Sequence, residues 1–310
     1  MRLVVPDLIS NSYFPVLAAA DLGFFASEGL QVSVELLFPV NHSYQALRAG
    51  EVDFVGGSAH SALAAFPDWE GVKLLCAQAQ GMYWFLVMRS DLGLKRGELD
   101  GVKGRTIGAA PWVEMGLRRL LIAAGYDLQR DGIRIVGVPG AANAGVNFGL
   151  NAARALEERK IDGFWANGMG TEVAVRIGSG TIVLDVRRGD GPKAAFHFTF
   201  SALATSARLI EQRPEAAAAA VRAIVKTHAA LRADPALATQ VGQQRFPAAQ
   251  AALIAELIRR DLPYFDASIP IAAVDGMNAF SRDLGLLSHD VPYDRIVATQ
   301  FRELWQPASA

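Results

Sequence analysis

The chain has 310 residues, 51% of them hydrophobic, and a formal net charge of -1. Because a single core rarely grows beyond about 250 residues, this length predicts two structural units. The balanced charge excludes a basic footprint for nucleic acid or for anionic membrane surfaces, so we expect neither a nucleic-acid partner nor membrane insertion. No apolar run reaches the roughly 18 residues that a membrane span needs.

A β-α-β-α-β unit is predicted at the start of the chain. Pro15 suits the first turn of its first helix, and Gly23 follows the end of that helix. The predicted elements are a strand at 3–5, a helix from Phe14, a strand within 29–34, a helix containing Ala46 and Leu47, and a strand at 52–55.

The same unit recurs further along the chain. Its predicted elements are a strand at 106–109, a helix at 117–124 closed by Gly125, a strand within 132–136, a helix containing Ala155 and Leu156, and a strand at 161–165. Short apolar strands that alternate with helices predict parallel-rich sheets covered on both faces. Two such lobes would enclose a cleft at the carboxyl ends of their strands, where open α/β sheets bind ligands.

The remainder of the chain, from about Phe196, is predicted to be helical. Three helices are expected, beginning at Pro214, spanning 251–260, and surrounding 296–304. The chain is expected to cross between lobes at 83–89 and again at 196–203. This organisation assigns residues 1–87 and 196–310 to lobe one and residues 88–195 to lobe two.

Three sequence blocks carry a family resemblance. Residues 19–30 read AADLGFFASEGL, residues 46–54 read ALRAGEVDF, and residues 88–94 read MRSDLGL, running on to LDGVKGRTIG at 99–108. In these blocks the chain resembles the substrate-binding proteins of nitrate/sulfonate/taurine-type ABC importers. That family of binding proteins is also related to proteins that bind pyrimidine precursors.

The resemblance implies an α/β, two-lobed periplasmic-binding-protein fold of type II with its ligand cleft between the lobes. It also implies hinge closure on a small molecule and delivery of that molecule to a membrane permease. A periplasmic location is expected, with a leader peptide removed, and a cytoplasmic ligand sensor is the alternative. A monomer is expected.

Catalytic chemistry finds little support in the sequence. The segment from Gly56 to His60 lacks the final glycine of a G-x-S-x-G nucleophile motif, and the five histidines show no metal-ligand spacing. Cys76 is expected to be a buried, inert thiol. No catalytic residue, cofactor or metal is therefore expected. Relatives with this fold include a desulfinase and a pyrimidine synthase, but residues 7–13 lack the desulfinase cysteine, and the cysteine-rich segment of the synthase is also missing.

Four strand-end loops and the first crossing are expected to form the ligand site. The candidates are Asn11, Ser12, Tyr13, Ser58, Ala59 and His60 from lobe one, Gln80, Tyr83 and Trp84 at the crossing, and Trp112, Glu114, Trp165 and Asn167 from lobe two. Ser58 is either a ligand donor or a helix cap. Glu114 either serves the dipole of its helix or faces the cleft, where it favours an amine or another N–H donor.

The chemistry of these loops suggests a ligand class. Pro111 removes a backbone donor from a loop where an anion site needs one. Aromatic side chains bind flat or cationic groups by stacking and cation–π contacts. We therefore expect a planar or nitrogen-containing ligand, such as a pyrimidine or an aromatic acid, in preference to nitrate or a small sulfonate.

Overall fold

Two five-stranded sheets form the frame of the protein. The computed structural model describes residues 1–141 and 147–306. Their strands are β1 (Arg2–Val5), β2 (Ser33–Leu36), β3 (Phe54–Ser58), β4 (Val72–Ala79), β5 (Phe85–Arg89), β6 (Thr106–Ala109), β7 (Arg134–Val136), β8 (Gly163–Ala166), β9 (Gly180–Asp185) and β10 (Ser201–Ser206).

The two sheets have equivalent topologies. The first has the order β2-β1-β3-β10-β4 and the second the order β7-β6-β8-β5-β9. In each sheet four strands run parallel to one another and one, β10 or β5, runs antiparallel to them. Each antiparallel strand is the first strand formed after the chain crosses into that lobe. Since the chain crosses from the cleft side, where the parallel strands end, it enters each sheet in the opposite direction.

Helices cover the sheets. They are α1 (Phe14–Asp21), α2 (Phe24–Ser27), α3 (Val40–Ala49), α4 (Glu114–Ala123), α5 (Phe148–Glu157), α6 (Gly168–Arg176), α7 (Ala207–Gln212), α8 (Pro214–Ala233), α9 (Leu237–Arg245), α10 (Ala248–Asp261), α11 (Ile271–Asp283) and α12 (Tyr293–Ile296). The long α8 packs its buried alanines and Ile224 against α1, α2 and the first sheet. Because helices lie on both faces, the central strands are buried on both sides, which explains their continuous apolar sequences.

The duplicated unit predicted from the sequence is confirmed. In the first copy Leu3 of β1 pairs with Val34 of β2 and with Phe54 of β3. In the second copy Ile107 of β6 pairs with Ile135 of β7 and with Gly163 of β8. The strand order 2-1-3 and the parallel pairing are therefore the same in both lobes.

Two expectations for the chain path differ from the structure. Strand β5 begins at Phe85 and pairs within the second sheet, so the first crossing ends before the expected boundary at residue 87. In the C-terminal region the sequence analysis missed α7, α9 and α11, and the helix expected around residues 296–304 is the short α12 followed by a 3₁₀ segment, Thr299–Trp305. Gly276 and Asn278 weaken the helical pattern of α11, and packing of that helix against residues 193–197 compensates.

Candidate functional site

A small cavity lies between the lobes at the carboxyl ends of the strands. Its volume is about 30 Å³, enough for one or two water molecules, so a ring-shaped ligand can enter only if the lobes separate. The cavity is lined by Pro6, Asp7, Tyr13, Phe38, Val40, Trp84, Ala110, Pro111, Val113, Phe148, Ala166 and Asn167.

Three of the predicted site residues line this cavity: Tyr13, Trp84 and Asn167. Tyr13 directly precedes α1, and its hydroxyl lies 3.1 Å from the hydroxyl of Tyr83. Trp84 packs at an angle against the ring of Tyr83, with 4.8 Å between their centroids. The first crossing therefore places Tyr83 and Trp84 against Tyr13 at the floor of the cavity.

His60 connects the lobes at one side of the cleft. Its Nε2 donates a hydrogen bond to the carbonyl oxygen of Trp112 at 3.1 Å, and its Nδ1 lies 3.0 Å from the hydroxyl of Thr199. Because a carbonyl oxygen can only accept, Nδ1 is the unprotonated nitrogen and accepts from Thr199. Burial lowers the pKa of His60 to about 4, so the ring is neutral at pH 7. Trp112 itself has a φ of 69°, an uncommon conformation for a bulky residue.

Ser58 and Ala59 are buried behind the cleft wall. The Ser58 hydroxyl lies 2.6 Å from the hydroxyl of Ser61, and no side-chain capping bond is present at the 3₁₀ turn that follows Ser58. The Ser58 carbonyl accepts a hydrogen bond from the hydroxyl of Tyr44. Neither of these residues lines the cavity, and the proposed cap at Ser58 is not formed.

Four further candidates lie near the cleft but outside its lining. Asn11 donates to Asp261 at 2.5 Å. Ser12 is buried, and its carbonyl accepts from Ser201. Gln80 donates to the carbonyls of residues 266 and 268. Trp165 is buried and meets Trp84 edge-on, with 6.2 Å between their ring centroids. None of these four side chains lines the cavity.

Glu114 is the first residue of α4, and it does not line the cavity. Its side chain is half-buried, and burial raises the pKa of its carboxyl. A negatively charged carboxylate in the first turn of α4 interacts favourably with the helix dipole. The carboxylate that lines the cavity belongs to a different residue.

That residue is Asp7, which the sequence analysis did not select. It is buried at the end of β1, where it accepts hydrogen bonds from the amide of Ile9 at 3.0 Å, the amide of Gly149 at 3.3 Å and Nδ2 of Asn167 at 2.9 Å. Desolvation raises the pKa of Asp7 to about 7 despite these three donors. Its position two residues after the end of β1 was the available signal.

Phe38 and Phe148 were also missed. They stack across the cleft with ring centroids 5.9 Å apart and an interplanar angle of 19°. Phe38 follows β2, and Phe148 begins α5, so each comes from a different lobe. The cavity is thus bordered by four aromatic side chains, two of them predicted.

Comparison with known proteins identifies the family of the chain. The sequence profile described as NMT1/THI5 like matches residues 10–238, about three quarters of the chain. The chain belongs to the NMT1/THI5-like family. Comparison with curated proteins finds no match by sequence.

Solved structures of this family's fold share little sequence with the chain. The alkanesulfonate-binding protein SsuA of Xanthomonas axonopodis, bound to MOPS, is 14% identical with a TM-score of 0.70, and the match covers 97% of this chain and 96% of SsuA. The periplasmic nitrate-binding protein NrtA of Synechocystis is 15% identical with a TM-score of 0.74, covering 98% and 86%. At these identities the likeness establishes the type II periplasmic-binding-protein fold.

An enzyme shares the fold as well. The desulfurization enzyme DSZB is 15% identical with a TM-score of 0.61, and the match covers 97% of each chain.

Within residues 1–141 and 147–306, no group of three His, Cys, Asp or Glu side chains is placed to hold a metal ion. Over those same residues, no helix combines the length and apolar character of a membrane span.

Proposed function

We propose that this family member is the solute-binding component of an ABC importer and that it closes by a hinge motion around a planar, nitrogen-containing organic molecule. The observation that carries the proposal is an aromatic-lined cavity between two lobes that are joined by two chain crossings. Opening would admit the ligand through the cleft mouth, and closure would bury it. Such closure requires that the ligand bind the closed form more tightly than the open form.

The cavity lining favours a flat organic ligand over a small inorganic anion. Tyr13, Phe38, Trp84 and Phe148 offer aromatic faces or edges. None of the twelve lining residues is lysine, arginine or histidine, and Pro111 has no amide proton. A nitrate or sulfonate needs several hydrogen-bond donors, whereas stacking on aromatic rings suits a heterocycle.

The strand pairing supports the assignment of the lobes. We propose that residues 1–79 and most of 201–306 form lobe one and that residues 85–185 form lobe two. The family supports the remaining part of the proposal, that the protein acts as a periplasmic monomer that delivers its ligand to a membrane permease. Of the fold relatives described above, SsuA and NrtA are binding proteins.

A thermal-shift screen tests this proposal. The purified protein is screened against pyrimidines, amines, aromatic acids, sulfonates and inorganic anions, with recovery of each hit after incubation. A ligand at about 100 times its Kd adds roughly 2.7 kcal/mol to the free energy of unfolding, which is readily detected. Tight binding of taurine with no response to any heterocycle would contradict the ligand class.

The alternative is an enzyme on the same scaffold, which the structural likeness to DSZB keeps open. A hit that is consumed during incubation would favour this alternative. A hit recovered unchanged supports the binding protein.

A further inference from the structure

We propose that the cleft selects a ligand with a positive charge, such as an amidinium or a protonated amine, and that Asp7 is the counter-ion of that charge. This inference rests on the proposed binding function and narrows its ligand class. It also sets aside the aromatic acids, whose carboxylate would meet the carboxylate of Asp7.

The first step is the unmatched charge in the cavity. Asp7 accepts three hydrogen bonds, all from neutral groups: two backbone amides and the Asn167 amide. Among residues 1–141 and 147–306, no lysine, arginine or histidine lines the cavity. A buried carboxylate is costly unless a cation lies beside it, and here the protein provides none within the lining.

The second step is the remaining capacity of that carboxylate. A carboxylate offers about four lone-pair sites, and the bonds to Asp7 use one on Oδ1 and two on Oδ2. One acceptor position on Oδ1 therefore remains for a donor within the cavity. A charged N–H donor there would form a short, charge-assisted bond.

The third step is the aromatic surround. Tyr13 and Trp84 from the cleft floor and the stacked Phe38 and Phe148 border the same cavity as Asp7. Aromatic faces attract cations through the ring quadrupole, and cages of this kind bind substituted ammonium groups. A carboxylate next to such a cage suits a flat cation better than a neutral ring.

Two series of matched probes test the inference. Benzamidinium, benzamide and benzoate have similar shapes with charges of +1, 0 and -1, and acetamidinium, acetamide and acetate form a smaller series. Each is titrated by calorimetry and thermal shift, up to roughly 20 mM for the weakest. The cation of at least one series should bind on the order of tenfold or more tightly than its neutral partner, and the anions should not bind.

The variant Asp7→Asn should abolish this preference, lowering cation affinity on the order of tenfold while the neutral probe changes by less than about twofold. Asp162→Asn is the control, because it removes a carboxylate at the opposite end of β8 from the cavity-lining Ala166. It should bind the cations as the unaltered protein does.

A second measurement needs no variant. Cation affinity should rise as the pH increases through about 7, where the carboxyl of Asp7 loses its proton, while the amidinium stays charged. In the described part of the chain, the titratable side chain that lines the cavity together with Asp7 is Tyr13, whose pKa burial raises well above its ordinary value, so it stays neutral. Gly149 of α5 and Asn167, which precedes α6, contribute only uncharged donors to Asp7.

Three outcomes overturn the inference. Equal binding of benzamide and benzamidinium, or a cation preference that survives in Asp7→Asn, removes the role of Asp7 while the proposed binding of a planar ligand stands. Failure of every cation to bind also overturns it, whatever other compound is found to bind.

Discussion

The Nε2 atom of His60 in lobe one lies 3.1 Å from the carbonyl oxygen of Trp112 in lobe two. This bond joins the lobes through a residue in a left-handed backbone conformation, with a φ of 69°. Strained backbone of this kind persists where surrounding contacts hold it, and it is frequent at ligand sites. His60 therefore stabilises both the contact between the lobes and the conformation of the loop between β6 and α4.

His60→Leu should remove that contact. The carbonyl of Trp112 and the hydroxyl of Thr199 lose their partner, which should lower the free energy of unfolding by about 1–3 kcal/mol, measured by urea denaturation. Small-angle X-ray scattering should show a larger radius of gyration, because the lobes separate more readily.

The control for this variant is His228→Leu. His228 donates to the Gln78 carbonyl at 2.8 Å within lobe one, so the stability loss should be similar without a change in radius. Equal radii for the two variants would show that the His60 bond does not hold the lobes together.

Stability should fall in acid because of the two buried histidines. Burial lowers the pKa of His60 and His228 from 6.5 to about 4. Between these values the unfolded chain binds protons that the native rings do not, so the free energy of unfolding falls as the pH falls from 6.5 towards 4. Each histidine should contribute roughly 3 kcal/mol to this loss. In urea titrations at several pH values, the free energy of unfolding of His228→Leu should therefore fall less steeply below pH 6.5 than that of the unaltered protein. An equally steep fall in both proteins would refute the assignment.

Asp7 should have the opposite effect on stability. Burial raises its pKa from 3.8 to about 7, so in this range the native state holds a proton that the unfolded state has lost. The free energy of unfolding therefore falls as the pH rises from about 4 to 7. Asp7→Asn removes this titration, so its stability relative to the unaltered protein should increase over that range by up to roughly 4 kcal/mol. A difference that is the same at pH 5 and pH 8 would contradict the raised pKa.

Gly168→Ala should keep the lobes apart. A Cβ at Gly168, on α6 of lobe two, would lie 2.7 Å from Nη2 of Arg260 and 2.7 Å from Nδ2 of Asn11, both in lobe one. The closed form becomes less populated, so ligand affinity should fall on the order of tenfold and the radius of gyration should increase. Gly137→Ala is the matched control, since its Cβ would meet no atom of residues 1–141 or 147–306 within 4 Å. Unchanged affinity in Gly168→Ala would show that closure does not require this contact.

Cys76 should be unreactive in the native protein. It is buried in β4, and burial raises the pKa of its thiol, so little thiolate forms and reagents cannot approach it. A chromogenic thiol reagent should therefore react in urea but not in buffer. Rapid labelling of the native protein would show that β4 opens locally.

The sequence by itself determined the duplicated α/β unit and most positions of its parallel strands. Strands at Leu3 and Ile107 and helices at Phe14 and Leu117 follow from local apolar periodicity and from glycines at helix ends, which do not depend on distant contacts. The aromatic residues of the first crossing were also visible in the sequence.

The tertiary structure decided which side chains line the cavity. Asp7, Phe38 and Phe148 come from segments 31 to 141 residues apart, and they meet because the two lobes lie against each other at the cleft. Glu114 and Trp165 lie in equally suitable segments, yet neither lines the cavity. The direction of a strand-end side chain depends on how its loop packs against the opposite lobe, and no local pattern encodes that packing. The antiparallel β5 and β10 likewise follow from where the chain crosses, which is a property of the whole fold.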